Sequence, residues 1–122
     1  MAEFRDGTVE LTRGTVVYVR NENASGHVVS GTHPAVVIQN DIGNKYSPTV
    51  IVAFLTSQMK RLDMKTHVVI QHYPNLRTSV VQTEQMATID KRDILSIVTK
   101  LRAEDMTRVD TAVRVSLGLE VD

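Results

Sequence analysis

Short runs of β-branched and aliphatic residues, separated by polar turns, dominate the first hundred residues of the chain. Runs of this kind are too short for helices and are typical of buried strands. Gly, Pro, Asn and Asp residues accumulate between them, where the chain is expected to turn. The predicted strands are Thr15–Val19, Ala35–Ile38, Val50–Leu55, Thr66–Gln71, Ser79–Met86 and Ile97–Leu101.

The period of the pattern changes after Ala103, where apolar residues recur at steps of three and four. This spacing predicts a C-terminal helix with one side facing the core. A short helical turn is expected after Asp90, because an Asp side chain can accept a hydrogen bond from the backbone that follows it. The apolar stripe of the C-terminal helix consists of Met106, Val109, Val113 and Leu117.

This order of elements predicts a mainly β domain with appended helices. Several short strands joined by tight turns favour a small, closed antiparallel barrel. Residues 1–12 are expected to form an N-terminal extension, flexible or weakly paired at a sheet edge, so that residues 13–122 form the single domain. Two loops are predicted: a functional or mobile one from Asn21 to Thr32, and a polar turn between Ile38 and Val50.

Composition narrows the classes of function. The chain has 122 residues with 14 basic and 14 acidic side chains, so a polyanion would have to bind a local patch rather than the net charge. The absence of cysteine excludes disulfides and thiolate metal sites. No apolar run is long enough to span a membrane, and the polar N-terminus differs from a signal peptide. A cytoplasmic protein is therefore expected.

Polar residues near the predicted strand ends are the candidates for chemistry. The four histidines show no metal-ligand spacing, so no metal site is predicted. Imidazole, carboxylate and hydroxyl groups brought together by a barrel would suit proton transfer on a phosphodiester. By pattern alone, the same residues fit ordinary turn and edge positions better. The set comprises His27, His33, Thr49, Ser57, Gln58, Glu84 and Gln85.

Several blocks of the sequence, considered together, are specific. They are Arg13–Gly14, Gly26–His27, Gly31–Pro34, Val37–Asp41, Asn44–Ala53, Leu55–Gln58, Thr66–Val68 and Glu84–Lys91. In this combination the chain resembles the MazF/PemK (Kid) family of toxin–antitoxin ribonucleases, from about Arg13 to Leu119. The block from Asn40 to Ala53 is especially similar to MazF of Gram-positive bacteria.

The resemblance implies an SH3-like antiparallel barrel of the CcdB/PemK type, assembled as a symmetric homodimer with RNA grooves near the interface. It implies sequence-specific, metal-independent cleavage of single-stranded mRNA without a cofactor. In that reaction the 2′-hydroxyl attacks the adjacent phosphate and leaves 2′,3′-cyclic phosphate and 5′-hydroxyl ends. An acidic MazE-like antitoxin is the expected protein partner, and growth inhibition is the expected effect of the free toxin.

The resemblance also assigns roles to single residues. Thr49 matches a catalytic or phosphate-contacting Thr, His27 matches a His of the first loop, and Glu84 stands where the PemK branch has a catalytic Asp. His33 is the fourth catalytic candidate, as an acid, a base or an electrostatic stabiliser. The residues expected to contact RNA are Ser57, Gln58, Lys60, Arg61 and Gln85.

Three positions depart from the family pattern. His33 stands where the family has its principal Arg, and Gln82 and Ala87 also replace arginines. Arg carries a permanent charge on a planar fork, whereas His is only partly charged near neutral pH. Losing a preorganised donor at a transition-state oxygen typically costs about 2.7–4 kcal/mol. The alternative to an active nuclease is therefore an inactive module that binds RNA or an antitoxin. Topoisomerase inhibition is a third reading, from fold analogy with CcdB alone.

Overall fold

A computed structural model describes residues 11–21, 26 and 31–120 of the chain. His27 and most of the loop predicted from Asn21 to Thr32 therefore lie outside the described residues, as do residues 1–10 of the predicted extension. The last two residues of that extension are part of the fold. Leu11 is buried in the core, and the Thr12 carbonyl accepts a hydrogen bond from the backbone N–H of Thr15.

The described residues form six strands, two α-helices and one 3₁₀ turn. This confirms the six predicted strands and the C-terminal helix, and it places the 3₁₀ turn directly after Asp90, whose carboxylate accepts a hydrogen bond from the Arg92 backbone N–H. The elements are β1 Thr15–Asn21, β2 Gly31–Val37, α1 Asp41–Tyr46, β3 Thr49–Thr56, β4 His67–Ile70, β5 Ser79–Asp90, the 3₁₀ turn Lys91–Asp93, β6 Ile94–Lys100 and α2 Ala103–Ser116.

Helix α1 lies where only a polar turn was predicted, so that prediction was wrong. The Asn40 side chain accepts a hydrogen bond from the Gly43 backbone N–H at 2.8 Å and thereby caps the first turn. Asp41 in the first turn and Lys45 in the last have the charges that favour the helix dipole. A helix of six residues is too short to show a helical period, so the pattern of apolar residues could not indicate it.

The six strands form one antiparallel sheet in the order β4-β5-β3-β2-β1-β6. In the described part of the chain β4 and β6 are edges, so the predicted closed barrel is an open sheet. The sheet is nevertheless strongly curled. In a flat sheet β5 and β6 would lie about 19 Å apart, whereas the four backbone steps from Asp90 to Ile94 span at most about 14 Å.

The two faces of the curled sheet have separate apolar clusters. The concave face contains Leu11, Val17, Val19, Ala35, Val37, Val50, Val52, Phe54, Ile89 and Ile94. The opposite face, which we call the helix face, packs against α2 and includes Val16, Val36, Ala53, Leu55, Val68 and Val81 with Val109 and Ala112. Side-chain alternation along the strands therefore assigns each remaining strand residue to one of the two faces. No helix in the described ranges is long and apolar enough to cross a membrane.

Candidate active site

A cleft of about 470 Å³ opens where β2 begins and β3 ends, beside the segment that joins β4 to β5. Among the residues that the structure describes, its lining combines hydroxyl, amide, imidazole and guanidinium groups with three apolar side chains and a tyrosine, and contains no carboxylate. Two of its residues, His33 and Arg77, can be cationic. The cleft is lined by Tyr18, His33, Pro34, Leu55, Thr56, Ser57, Gln58, Asn75, Leu76, Arg77 and Ser79.

His33 lies on β2 and belongs to the concave face. Its strand partner is Val19 of the concave cluster, and its ring meets the ring of Phe54 edge-on, with centroids 6.4 Å apart. The half-buried imidazole therefore lies where the apolar interior ends and the cleft begins.

Thr56 lines the cleft and, like Arg77, was not among the candidates predicted from the sequence. Ala35 pairs with Phe54 across β2 and β3, and extending this register by two residues places His33 opposite Thr56. The paired ladder itself ends at Ala35 and Phe54, but the side chains of His33 and Thr56 both line the cleft, which therefore has an imidazole and a hydroxyl among its polar groups. The signal in the sequence was weak, because Thr56 differs from other strand-end polar residues only through this cross-strand register.

Ser57 and Gln58, two of the residues predicted to contact RNA, follow Thr56 into an exposed turn and line the cleft. The Thr56 hydroxyl oxygen accepts a hydrogen bond from the Gln58 backbone N–H at 3.2 Å, and the Gln58 carbonyl accepts one from Lys60 at 3.0 Å. Both bonds fix the backbone of the turn and leave the side chains of Ser57 and Gln58 facing the cleft.

Thr49 lies at the other end of β3, so the structure does not bring it together with His33 within one chain. The strand has eight residues and extends about 23 Å at roughly 3.3 Å per residue. Antiparallel neighbours begin at opposite ends of a sheet, which is why two strand-entry residues do not meet. The Thr49 hydroxyl lies 3.1 Å from the Ser47 hydroxyl, and its carbonyl accepts a hydrogen bond from Gln39 at 3.1 Å.

Glu84 lies in a bulge of β5 and is bound to β4. Ala53 pairs with Met86 but Phe54 pairs with Gln82, so the residues between them leave the ladder. The Glu84 carboxylate accepts hydrogen bonds from His67 Nε2 at 2.8 Å and from the Thr66 hydroxyl at 3.2 Å. Because β2 and β5 are separated by β3, Glu84 is about 10 Å from the strand of His33.

The replaced arginine position at Gln82 belongs to the same neighbourhood. Gln82 pairs with Phe54 on one side and with His67 on the other, which places it on the concave face. His33, Gln82 and His67 therefore occupy the polar end of this face. The other ring nitrogen of His67 lies 3.0 Å from the Arg61 carbonyl, so His67 joins β4 to the segment before it.

The remaining predicted site residues do not line the cleft, or lie outside the residues that the structure describes. Lys60 and Arg61 are exposed on the segment between β3 and β4, and Arg61 forms a 3.4 Å contact with Asp63. Gln85 is half-buried in the β5 bulge, and His27 lies outside the described residues. Within the described ranges, no group of three or more His, Asp or Glu side chains is arranged to hold a metal ion.

Comparison with known proteins identifies relatives along nearly the whole chain. Endoribonuclease EndoA of Bacillus subtilis (strain 168) is 42% identical over 111 residues, which cover 89% of this chain and 96% of EndoA. MazF from Deinococcus radiodurans has the same fold, with a TM-score of 0.79 at 19% identity over 90% of this chain and 98% of that one. A mycobacterial endoribonuclease solved with its cognate antitoxin gives a TM-score of 0.76 at 21% identity over 92% and 99% of the two chains.

The family assignment comes from a match to a family profile as well as from these relatives. The profile describes PemK-like, MazF-like toxins of type II toxin–antitoxin systems and matches residues 12–117. It confirms the resemblance that the sequence blocks indicated. The chain belongs to the PemK-like, MazF-like family of type II toxins.

Proposed function

We propose that this toxin is an endoribonuclease that cleaves single-stranded mRNA in the cleft between His33, Thr56 and Arg77. The observation that carries the proposal is the composition of the cleft, which combines a guanidinium, an imidazole and hydroxyl groups, with no carboxylate among the described residues that line it. Such a lining attracts a phosphate backbone and can donate hydrogen bonds to it. The 42% identity to EndoA, an endoribonuclease, supports the same reaction class.

The proposed reaction is a transesterification within the RNA. The 2′-oxygen forms a bond to the adjacent phosphorus while the bond from phosphorus to the 5′-oxygen breaks, leaving a 2′,3′-cyclic phosphate and a 5′-hydroxyl. One proton leaves the 2′-hydroxyl and one joins the departing 5′-oxygen. We assign proton transfer to His33, because imidazole exchanges protons near neutral pH, and we assign a hydrogen bond to the phosphoryl oxygen to Thr56.

Arg77 supplies the permanent positive charge that His33 does not. Its side chain is exposed in the cleft, and the described residues provide no carboxylate partner within ion-pairing distance. A guanidinium without a protein partner can bind a phosphate bidentately. The family's principal Arg is thus replaced in the proposal by a cation from a different segment, on the opposite wall of the cleft.

The other predicted residues take supporting roles. Ser57 and Gln58 bind RNA from the cleft wall, Lys60 and Arg61 extend the cationic surface, and Gln85 remains a base-contact candidate. We assign Glu84 to positioning rather than to proton abstraction, because His67 and Thr66 already occupy its carboxylate.

The partners follow from the family. We propose a homodimer that acts on mRNA in the cytoplasm and is neutralised by an acidic antitoxin. An acidic segment would complement the same cationic cleft that binds phosphate. The mycobacterial structural neighbour was solved in complex with its cognate antitoxin.

The test is cleavage of a long, unstructured RNA by the purified protein in EDTA, followed by analysis of the ends. We expect cuts at a repeated short motif with cyclic-phosphate and 5′-hydroxyl ends, and their loss in His33→Ala. Cleavage that is equal in wild type and His33→Ala would indicate a contaminating nuclease and contradict the proposal.

A second candidate is a module that binds RNA or an antitoxin without cleaving. The replacement of the principal Arg by His33 favours it, together with Gln82 and Ala87 at two further arginine positions. A gel shift of RNA without cuts would support this reading. His33→Arg separates the two: cleavage should rise if His33 weakened the site, and should fall if His33 itself transfers the proton.

A further inference from the structure

The segment 71–78, between β4 and β5, forms one wall of the cleft through Asn75, Leu76 and Arg77. Its backbone is unusual. His72 and Asn75 have φ angles of 67° and 64°, a left-handed conformation that side chains with a Cβ rarely adopt. A single bridge between Tyr73 and Leu76 is its only ladder contact within the described part of the chain. Such a conformation persists only where neighbouring groups stabilise it.

Helix α2 provides that stabilisation through arginines. The Arg102 guanidinium donates hydrogen bonds to the carbonyls of Gln71 at 2.8 Å and His72 at 3.1 Å, and it lies 4.0 Å from the centre of the Tyr73 ring. Arg108 donates to the Val69 carbonyl at 3.0 Å. Carbonyl groups before and inside the segment are therefore bound by two arginine side chains, one at the N-cap of α2 and one within the helix.

Asp105 joins these contacts. Its side chain is only 9% exposed, and its carboxylate accepts hydrogen bonds from the Tyr73 hydroxyl at 2.5 Å, from Arg102 at 3.2 Å and from Arg108 at 3.0 Å. Burial raises the pKa of Tyr73, and the hydrogen bond to Asp105 raises it further, so the phenol stays protonated as a donor. The Tyr73 oxygen in turn accepts a hydrogen bond from the Arg102 backbone N–H at 2.8 Å.

We propose that Asp105 is a positioning residue for RNA binding: through Tyr73 and Arg102 it holds the segment 71–78 so that Arg77 faces the cleft. Asp105 does not line the cleft and acts only through these neighbours. The inference rests on the proposed RNA-binding function, and it adds a residue of α2 to the determinants of RNA binding.

The chain offers a matched control five residues further along α2. Asp110 binds Arg13 through two hydrogen bonds, of 3.0 and 2.5 Å, and Arg13 does not line the cleft. Asp105→Asn and Asp110→Asn therefore each weaken the contacts of an α2 aspartate with arginine, but only Asp105 also contacts the segment 71–78. Tyr73→Phe is a milder variant that removes one hydroxyl and keeps the ring.

The experiment measures KM and kcat of RNA cleavage for these variants and for their combinations with Arg77→Ala. Asp105→Asn is expected to raise KM about tenfold with kcat little changed, the size of one lost charge-assisted hydrogen bond, and Tyr73→Phe to raise it less. Asp110→Asn should leave KM unchanged. In the Arg77→Ala background Asp105→Asn should have little further effect, since coupled residues are not additive. Equal KM values for the two Asp variants, or full additivity with Arg77→Ala, would overturn the proposal.

Hydrogen exchange distinguishes failure of this proposal from failure of the proposed function. Backbone amides of 71–78 should exchange faster in Asp105→Asn than in Asp110→Asn, with no RNA present. Unchanged exchange would show that Asp105 does not hold the segment, whatever the RNA result. Faster exchange in a protein whose wild type neither binds nor cleaves RNA would retain the structural link and overturn the RNA-binding role.

Discussion

The two ends of strand β3 contain similar polar residues in different surroundings: a hydrogen-bonded network at one end and an open cleft at the other. At its start, Thr49 lies beside Ser47, Gln39 and Asn44, and these polar groups bind one another and the backbone. At its end, Thr56 lies beside His33, Ser57 and Arg77 around an open cleft. At the start of β3 the polar groups form hydrogen bonds within the protein. At its end, polar groups face an open cleft where a ligand could bind them.

Asn44 shows how the polar groups at the start of β3 are bound within the protein. It is 2% exposed, its amide nitrogen donates to the Gln39 carbonyl at 2.9 Å and to Asp41 at 3.1 Å, and its side-chain oxygen accepts from Gln39 at 3.2 Å. Lys91 donates to its carbonyl at 2.5 Å and so connects α1 to the 3₁₀ turn. A dense polar block in the sequence can therefore indicate a folded loop rather than a binding site.

The largest expected difference between the two ends of β3 is in the effect of a substitution on RNA cleavage. Thr56→Val replaces a hydroxyl at the cleft with a methyl group of similar shape, and should reduce kcat about 10²–10³-fold if that hydroxyl stabilises the phosphoryl oxygen. Thr49→Val should cleave RNA at close to the wild-type rate while losing about 1 kcal/mol of stability with its hydrogen bond to Ser47. Single-turnover cleavage and urea unfolding of both variants check this. Loss of activity in Thr49→Val with retention in Thr56→Val would reverse the assignment.

The next largest expected difference between the two ends is in the effect of a substitution on the free energy of unfolding. Asn44→Ala removes a buried side chain that binds the Gln39 carbonyl, the Gln39 amide and Asp41, so the free energy of unfolding should fall by about 1–3 kcal/mol. Ser57→Ala, at the exposed end, should change it by no more than about 0.5 kcal/mol. Thermal or urea unfolding measures both. A neutral Asn44→Ala would mean that the network around α1 contributes little to the fold.

The fold was more predictable from the sequence than the site, for a physical reason. Apolar strands are encoded locally, so all six predicted strands are present, with ends that differ by a few residues. The turn after Asp90 was also predictable, because its cap is formed by neighbouring residues. Whether the sheet closes depends on its curl and its edges, which no local pattern contains.

The site depends on register, which is a long-range property. Neither Thr56 nor Arg77 was among the candidates, although both line the cleft with His33. Thr56 gains its place from the antiparallel arrangement of β3 beside β2 and from its pairing with Val80 of β5, and Arg77 lies on a segment that contacts α2, over twenty residues away in the chain. Ser57 and Gln58, predicted as RNA contacts, directly follow a strand end and line the cleft, and their contact with RNA stays a prediction. Thr49 is a candidate because of its place at the entry of a strand and because of the family resemblance, and its catalytic role stays a prediction, although much of the block around it forms the α1 network.

The smallest expected effect concerns Asp41, which belongs to the polar network at the start of β3. Its carboxylate accepts hydrogen bonds from the Arg13 backbone N–H at 2.7 Å and from Asn44 at 3.1 Å, and these bonds, the first more than the second, lower its pKa. A carboxyl whose pKa is lower in the folded than in the unfolded state stabilises the fold at pH above the unfolded value of about 3.9, and this contribution is lost as the pH falls through the folded value. Wild type should therefore be more stable than Asp41→Asn near neutral pH, and the gap should narrow as the pH falls toward about 3. Because the side chain is exposed, solvent screening keeps the gap below about 1 kcal/mol. Urea unfolding at a series of pH values measures it, and a gap that stayed constant or widened in acid would show that the charge of Asp41 contributes nothing to this end of β3.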